Sequence, residues 1–358
     1  MFSAKAVHNM TVKELIQRRL INQKLASTEF ESCVDVVSHF GAMQSQDYAM
    51  AKWAVGMRMR KASDLDIEMC VNSGDIIRTH VLRPTWHFVS HKDVRWMMEL
   101  SAPYVKKATQ YVDRQVGLTD EVFKKVWKVI EAALQREDNL SKEDLMDRLA
   151  KRKMDVDNLM ATQILIRAEL EMRVCSGVRR KNKATYSLFD KKVPQAEKIA
   201  KKDSLVKLAS VYFNSRSPAT VKDFMWWSGL SLSDAKFGIS GLGENLQRVS
   251  LDGLDYLYFE NTHYQKKKTS VLLPAYDEYM VGYSEGRNVA FPPDIDKSLL
   301  GNGVFKPIAL FDNTIAGTWK KIAKDPFVEI QFLNDNKKYN GLDSKIKAFG
   351  LFLQKQEK

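Results

Sequence analysis

From Thr11 to Val71, apolar positions recur with a helical period that short polar stretches interrupt. Leu15, Ile16, Leu20 and Ile21 follow Thr11 and Glu14, which have the form of a capping box. Val34, Val36, Val37 and Phe40 mark a second helix over Glu31 to Phe40, interrupted by Gly41. Helical character resumes from Asp47, a fitting N-cap, to Arg60, and again from Ser63 to Val71. The pattern then changes. Ile76 to Val89 is rich in β-branched and aromatic residues and predicts two extended segments with a turn near Arg83-Pro84. Helices followed by such a hairpin describe a winged helix.

The order recurs. Thr119 to Leu134 carries Val122, Val126, Trp127 and Ile130 on one face, Ser141 opens a helix that buries Leu145 and Leu149, and Asn158 to Met172 is a third. Val174 to Leu188 follows as a basic hairpin around Arg179-Arg180-Lys181-Asn182-Lys183. In a winged helix the third helix enters a groove and the hairpin touches the backbone. A third instance starts at Ser204. Thr220 caps Val221 to Gly229, Ser231 or Ser233 caps Asp234 to Ile239, and Leu246 to Phe259 alternates around an Asp252-Gly253 turn. After Lys266-Lys267-Lys268 the segments 270–273, 304–311, 314–319 and 327–333 read as strands, with Asp312-Asn313 as a turn, and Gly341 to Phe352 as a closing helix.

The expected fold is therefore α+β. Three tandem winged-helix units occupy 1–116, 117–200 and 201–265, and a small β-sheet or barrel element with a C-terminal helix occupies 266–358.

Composition narrows the function. No run approaches the ~20 apolar residues of a membrane helix, and Met1 to Met10 lacks the apolar core of a signal peptide. A cytoplasmic protein that avoids membranes is expected. The three cysteines, Cys33, Cys70 and Cys175, are widely spaced and odd in number, and read as reduced core residues. The net charge is +12, and Arg173 to Lys202 carries ten Lys or Arg against Asp190 and Glu197, a net +8. A concentrated basic stripe suits a polyanion, because each neutralised phosphate releases counterions. Arg179, Arg180, Lys181 and Lys183 are the expected phosphate contacts, joined by Arg83, Lys266, Lys267 and Lys268; such contacts position DNA without specifying sequence. Gly-rich phosphate loops, HExxH, CxxC and nucleophile elbows are absent, so no metal or cofactor is expected.

Four stretches carry a family resemblance. These are Gly41-Ala42-Met43-Gln44-Ser45-Gln46, Arg78-Thr79-His80 with Arg83-Pro84-Thr85-Trp86-His87-Phe88-Val89, Phe224-Met225-Trp226-Trp227-Ser228-Gly229, and Pro274-Ala275-Tyr276-Asp277-Glu278-Tyr279. Together they resemble the AlkZ-like winged-helix DNA glycosylases, over about Thr11 to Trp319. The resemblance implies tandem winged helices around a DNA-binding cleft and hydrolysis of the N-glycosidic bond of alkylated purines, bulky or crosslinked lesions included. Its catalytic pattern is Gln-x-Gln, which Gln44 and Gln46 match.

Those residue types suit the reaction. Base loss develops oxocarbenium character on the sugar, and a cationic alkylpurine leaves with little acid help. An amide carbonyl can orient water and stabilise positive charge. In a helix, residues two apart diverge by roughly 200°, so both glutamines reach one sugar only through a helix broken near Gly41 and Asp47. Asp47 reads as an N-cap first and a water-activating group second. His80 and His87, at odd spacing on one hairpin, are expected on opposite faces, each a satisfied polar group before a catalyst. Asp277 and Glu278 are auxiliary candidates that Arg or backbone could equally anchor. Trp226 and Trp227 read as core rather than as a stacking platform. The expected partner is damaged duplex DNA, met as a monomer and near the nucleoid. The rival reading is a non-enzymatic winged-helix regulator or damage-recognition protein, although no heptad pattern provides the dimer a regulator needs.

Overall fold

The computed structural model describes residues 10–180, 183–260, 267–292, 305–323, 327–334 and 339–354. After α1 (Val12–Asn22), the order helix, short strand, helix, helix, hairpin occurs first as α2 (Cys33–Phe40), β1 (Met43–Gln44), α3 (Tyr48–Gly56), α4 (Asp64–Ser73), β2 (Ile76–His80) and β3 (Trp86–Ser90). Its antiparallel strands lie in the order β1-β3-β2. A long helix comes next, α5 (Val94–Gln115). The order then returns in α6 (Asp120–Arg136), β4 (Leu140–Ser141), α7 (Lys142–Ala150), α8 (Asn158–Leu170), β5 (Val174–Ser176) and β6 (Thr185–Leu188), with sheet order β4-β6-β5. After α9 (Phe189–Lys192) come α10 (Lys201–Arg216), α11 (Val221–Ser228), α12 (Leu232–Ser240) and the hairpin β7 (Leu246–Leu251) and β8 (Leu254–Phe259). There a single bridge from Ala219 to Leu257 stands where the earlier stretches have a first strand.

The C-terminal part contains β9 (Val271–Leu273), the one-turn α13 (Glu278–Val281), β10 (Ile308–Phe311), β11 (Thr314–Lys321), β12 (Val328–Phe332) and α14 (Leu342–Leu353). Its sheet runs β12-β11-β10-β9. Asp312 and Asn313 turn the β10–β11 hairpin with positive φ at both residues, the backbone that matches strand twist.

Side-chain caps explain the helix starts. Thr11, Ser63, Ser141 and Thr220 each form a capping box, while Ser32, Asp47, Thr119, Asp157 and Ser231 accept from the first turn. Helix α5 lies in a stretch to which the apolar pattern assigns no element. Pro103 sits inside it and reads as a break in sequence, yet Trp96, Met97, Leu100 and Val105 bury its face deeply enough to hold the helix.

Two cores cross between the repeated stretches. One joins the first hairpin and α5 to α10 and α11 through Leu82, Met97, Tyr212, Phe224 and Trp227. A second joins α2 to α4 with Trp319, Phe349 and Phe352 of the C-terminal part. The middle stretch has its own core of Phe123, Trp127, Ile130, Leu145 and Ile164. Helix α8, expected to face a groove, is buried over its C-terminal half at Ala168, Glu169 and Leu170; it packs against β2 and α5.

Two expectations are corrected. Cys33 and Cys70 are joined in a disulfide between α2 and α4, with Cα atoms 7.0 Å apart; only Cys175 is free and buried. Spacing along the chain could not reveal that these helices lie side by side. Secondly, the expected break between Gly41 and Asp47 is not merely a distorted helix: Met43–Gln44 form strand β1, and Gln46 and Asp47 lie in a bend before α3.

Candidate active site

Gly41 makes the corner between α2 and β1. Its φ is +73°, and an added Cβ would lie 2.7 Å from Val211 Cγ1 and 2.8 Å from Met97 Cε, so only glycine fits. Beyond it, β1 pairs Met43 with Phe88 and Gln44 with His87. The ladder continues through the Ser45 N–H, which donates to Trp86 O at 2.7 Å. Gln44 lies on the face of β1 that pairs across from His87, and Gln46 stands two residues on, in the bend that leads into α3. Gln44 is buried and Gln46 is exposed, so one lies at depth and the other at the rim.

A buried ion pair fixes this backbone. Arg216, at the end of α10, meets Glu278 at 2.6 Å, and both are almost fully buried. The same guanidinium donates to Phe40 O at 3.0 Å and Ala42 O at 2.9 Å. Glu278 Oε1 accepts the Gln44 N–H at 2.8 Å. Asp277 is equally engaged, taking two bonds from buried Arg58 at 2.8 and 2.9 Å. Both acids are anchored by arginine, and Glu278 also holds the glutamine strand.

Arginines also set the side chains. Arg83 Nη2 donates to Gln44 Oε1 at 3.1 Å. Burial pulls this guanidinium down to about 10, with Glu278 partly opposing the shift, so it stays cationic at neutral pH. Arg78 donates from Nε and Nη2 to Ser45 O at 3.2 and 2.8 Å, fixing the peptide between the glutamines. Its guanidinium lies 4.3 Å from the Trp86 ring centre and 5.5 Å from that of Tyr48. Gln46 Oε1 accepts a long bond, 3.5 Å, from the Trp86 N–H. Because these partners can only donate, each amide oxygen is identified by chemistry. Each keeps a second lone pair, and each amide keeps its NH2 donors.

The two histidines part company. His87 pairs across from Gln44, donates from Nδ1 to Thr85 O at 2.9 Å, and turns Nε2 toward Arg83 at 3.5 Å. Burial first, and the Arg83 charge second, push it well below the usual histidine range, so it is neutral. His80 meets Glu169 of α8 instead, 2.6 Å from Nδ1 to Oε2, and packs on Trp86 with ring centres 4.3 Å apart. Asp47 is exposed and caps α3 through the Met50 N–H at 3.1 Å.

Of the expected DNA contacts on the basic hairpin, Arg179 lies 4.1 Å over the Tyr48 ring and 3.9 Å from Glu68. Arg180 and Lys183 instead meet Glu137 at 3.5 Å and Glu143 at 3.8 Å in the middle stretch. Lys268 pairs with Asp312 at 2.7 Å, and the Lys267 N–H donates to Gln17 at 3.4 Å. Lys181 and Lys266 lie outside the described residues. Arg83, expected on phosphate, holds Gln44.

One core expectation divides. Trp227 is fully buried, whereas neighbouring Trp226 is 45% exposed. The residues that sequence reasoning missed are Arg78 and Arg216. Their partners are 33 to 176 positions away, and no local pattern signals such contacts.

Known proteins resemble this arrangement. The family model for AlkZ-like DNA glycosylases matches residues 37–330. The solved structure of the Streptomyces sahachiroi DNA glycosylase AlkZ is similar with a TM-score of 0.78 at 17% identity, over 97% of this chain and 99% of that chain; at that identity the likeness is one of fold. No curated protein matches.

Proposed function

The chain belongs to the AlkZ-like DNA glycosylase family, and from that premise we propose that it hydrolyses the N-glycosidic bond of alkylated, cationic purines in duplex DNA, with Gln44 and Gln46 acting at the sugar. What supports this reading is that strand β1 and its link hold both amides in defined bonds: Gln44 Oε1 accepts from Arg83 and Gln46 Oε1 from the Trp86 N–H. The bond from C1′ to the base breaks, and its electron pair neutralises the positive base. Water oxygen bonds to C1′ and its proton passes to solvent. Neutral amides suit this step, since their carbonyl lone pairs orient water and stabilise the electron-poor sugar without quenching a strong acid or base. Arg83 and Arg78 hold the two amides and the peptide between them. Ser45 Oγ, Arg83 Nε and Thr85 Oγ1 are buried near the pair without a partner among the described residues, and they add hydrogen-bonding capacity for a polar ligand.

The repeated order helix, strand, helix, helix, hairpin supports three winged-helix units, in 1–116, 117–200 and 201–265, with the β-rich element in 266–358. Bound as a monomer, the chain meets phosphates through Arg179, Arg180 and Lys183 of the second unit and Lys267 and Lys268 of the β-rich element. Asp47 is the carboxylate nearest in sequence to the pair and serves as its auxiliary, beyond its capping bond. The test is release of 7-methylguanine from alkylated duplex. Gln44→Ala and Gln46→Ala each lower release by about 100-fold or more, while duplex affinity holds. Undiminished release in both variants removes the assignment. Selective binding to an undamaged operator, with no release by the native chain, favours a regulator instead.

A further inference from the structure

Helix α11 buries Phe224 and Trp227 completely but leaves Trp226, between Met225 and Trp227, 45% exposed. Its ring is nonetheless fixed, because the indole N–H donates to Val281 O at 3.1 Å. The helix end is clamped against the first hairpin's turn. Gly229, with φ +70°, lies so close that an added Cβ would stand 2.3 Å from Leu82 O.

Beside Trp226 run alternating aromatic rings and guanidiniums. Arg287 lies 4.7 Å from the Phe305 ring centre and 5.8 Å from that of Trp226. Arg83 lies 5.8 Å from the Trp226 ring centre on one hand and 3.1 Å from Gln44 Oε1 on the other. The exposed indole is thus one guanidinium away from the deeper glutamine. A rigid, half-open aromatic ring beside paired cations has the chemistry of a nucleotide contact, in which a base stacks on the ring and a phosphate meets the charge.

Resting on the glycosylase reading above, we propose that Trp226 determines recognition of the target nucleotide: its indole stacks on the modified purine presented to Gln44 and Gln46, and Arg287 neutralises the adjoining phosphate. The position is held before DNA arrives. Arg287 is fixed by its Nε bond to Met280 O at 2.8 Å and by a bond to Tyr283 O, so neither partner must be ordered on binding.

The experiment compares Trp226→Ala and Trp226→Phe in the full-length chain. It measures binding to a duplex with one 7-methylguanine and to the same undamaged duplex, together with single-turnover release. Losing one base–aromatic stack weakens binding of the modified duplex about 5- to 150-fold. The undamaged duplex changes little, and Trp226→Phe, which keeps the ring but loses the N–H, retains most of the native affinity. Equal weakening on both duplexes, no weakening, or a Phe variant as defective as Ala overturns the proposal; the last outcome assigns Trp226 to holding Val281. Binding needs no catalysis, so a native chain that discriminates through Trp226 without releasing base refutes the glycosylase reading and leaves this one standing.

Discussion

The first and second edge strands, β1 and β4, occupy the same place in the same order of elements but are joined differently to the next helix. Met43–Gln44 pairs with the last hairpin strand at Phe88 and His87, and Leu140–Ser141 pairs likewise at Tyr186 and Thr185. In the second stretch, Ser141 ends the strand and caps α7 at once. In the first, Ser45, Gln46 and Asp47 intervene, and only Asp47 caps α3. Those extra residues set a second, exposed glutamine between the strand and the helix. The third stretch resembles the second, since Thr220 caps α11 directly after the Ala219 bridge. A short spacer between strand and helix therefore separates a structural corner from a candidate site.

The spacer needs outside support, which defines the largest effect expected. Glu278→Ala strands buried Arg216 without its partner and releases the Gln44 N–H. A loss of about 3–5 kcal/mol should appear in denaturant unfolding; no change would mean that β1, like β4, is held by its own stretch. Arg83→Met removes the donor to Gln44 and should lower kcat roughly 10- to 100-fold, with KM and thermal stability little altered. A rise in KM alone would return Arg83 to phosphate binding.

Acid separates the two stretches further. His87 is held well below the usual histidine range by burial and Arg83, and His39 of α2 is lowered to about 4, chiefly by burial. Both favour the neutral form when folded. Their stabilising contribution is complete above pH 6.5, the ordinary histidine value, and is lost as pH falls toward the folded values. No histidine lies between Thr119 and Val193. Hydrogen exchange should therefore rise in the first stretch before the second as pH drops from 6.5 toward about 5; simultaneous loss would contradict this. The smallest effect belongs to the plain corner. Ser141→Ala should cost about 1 kcal/mol and leave base release at the native level.

Local chemistry made most elements legible. Caps at Thr11, Asp47, Ser63, Ser141 and Thr220 and the turn at Asp252-Gly253 gave boundaries that the structure bears out within a few residues. Helix α5 was assigned no element in the sequence; burial of Trp96, Met97, Leu100 and Val105 holds it around Pro103. The glutamines were recognisable only through a family pattern. The break between Gly41 and Asp47 was legible, but the strand that fills it was not, because its partners lie over forty positions later. Trp226 and Trp227 both read as core, yet only Trp227 is buried, against Tyr212 and Arg216 of α10, while Trp226 bonds Val281 O and stays half exposed.

The bond between the Gln44 N–H and Glu278 spans 234 positions. A ribosome emits Gln44 early and Glu278 near the end. Until Glu278 arrives, Arg216 lacks this carboxylate and the Gln44 N–H lacks its acceptor, although β1 can already pair with β3. The β1–β3 pairing can therefore form early, whereas the bond that completes the strand's anchoring waits for the segment after β9. Glu278 is thus a late fastener on a strand laid down early.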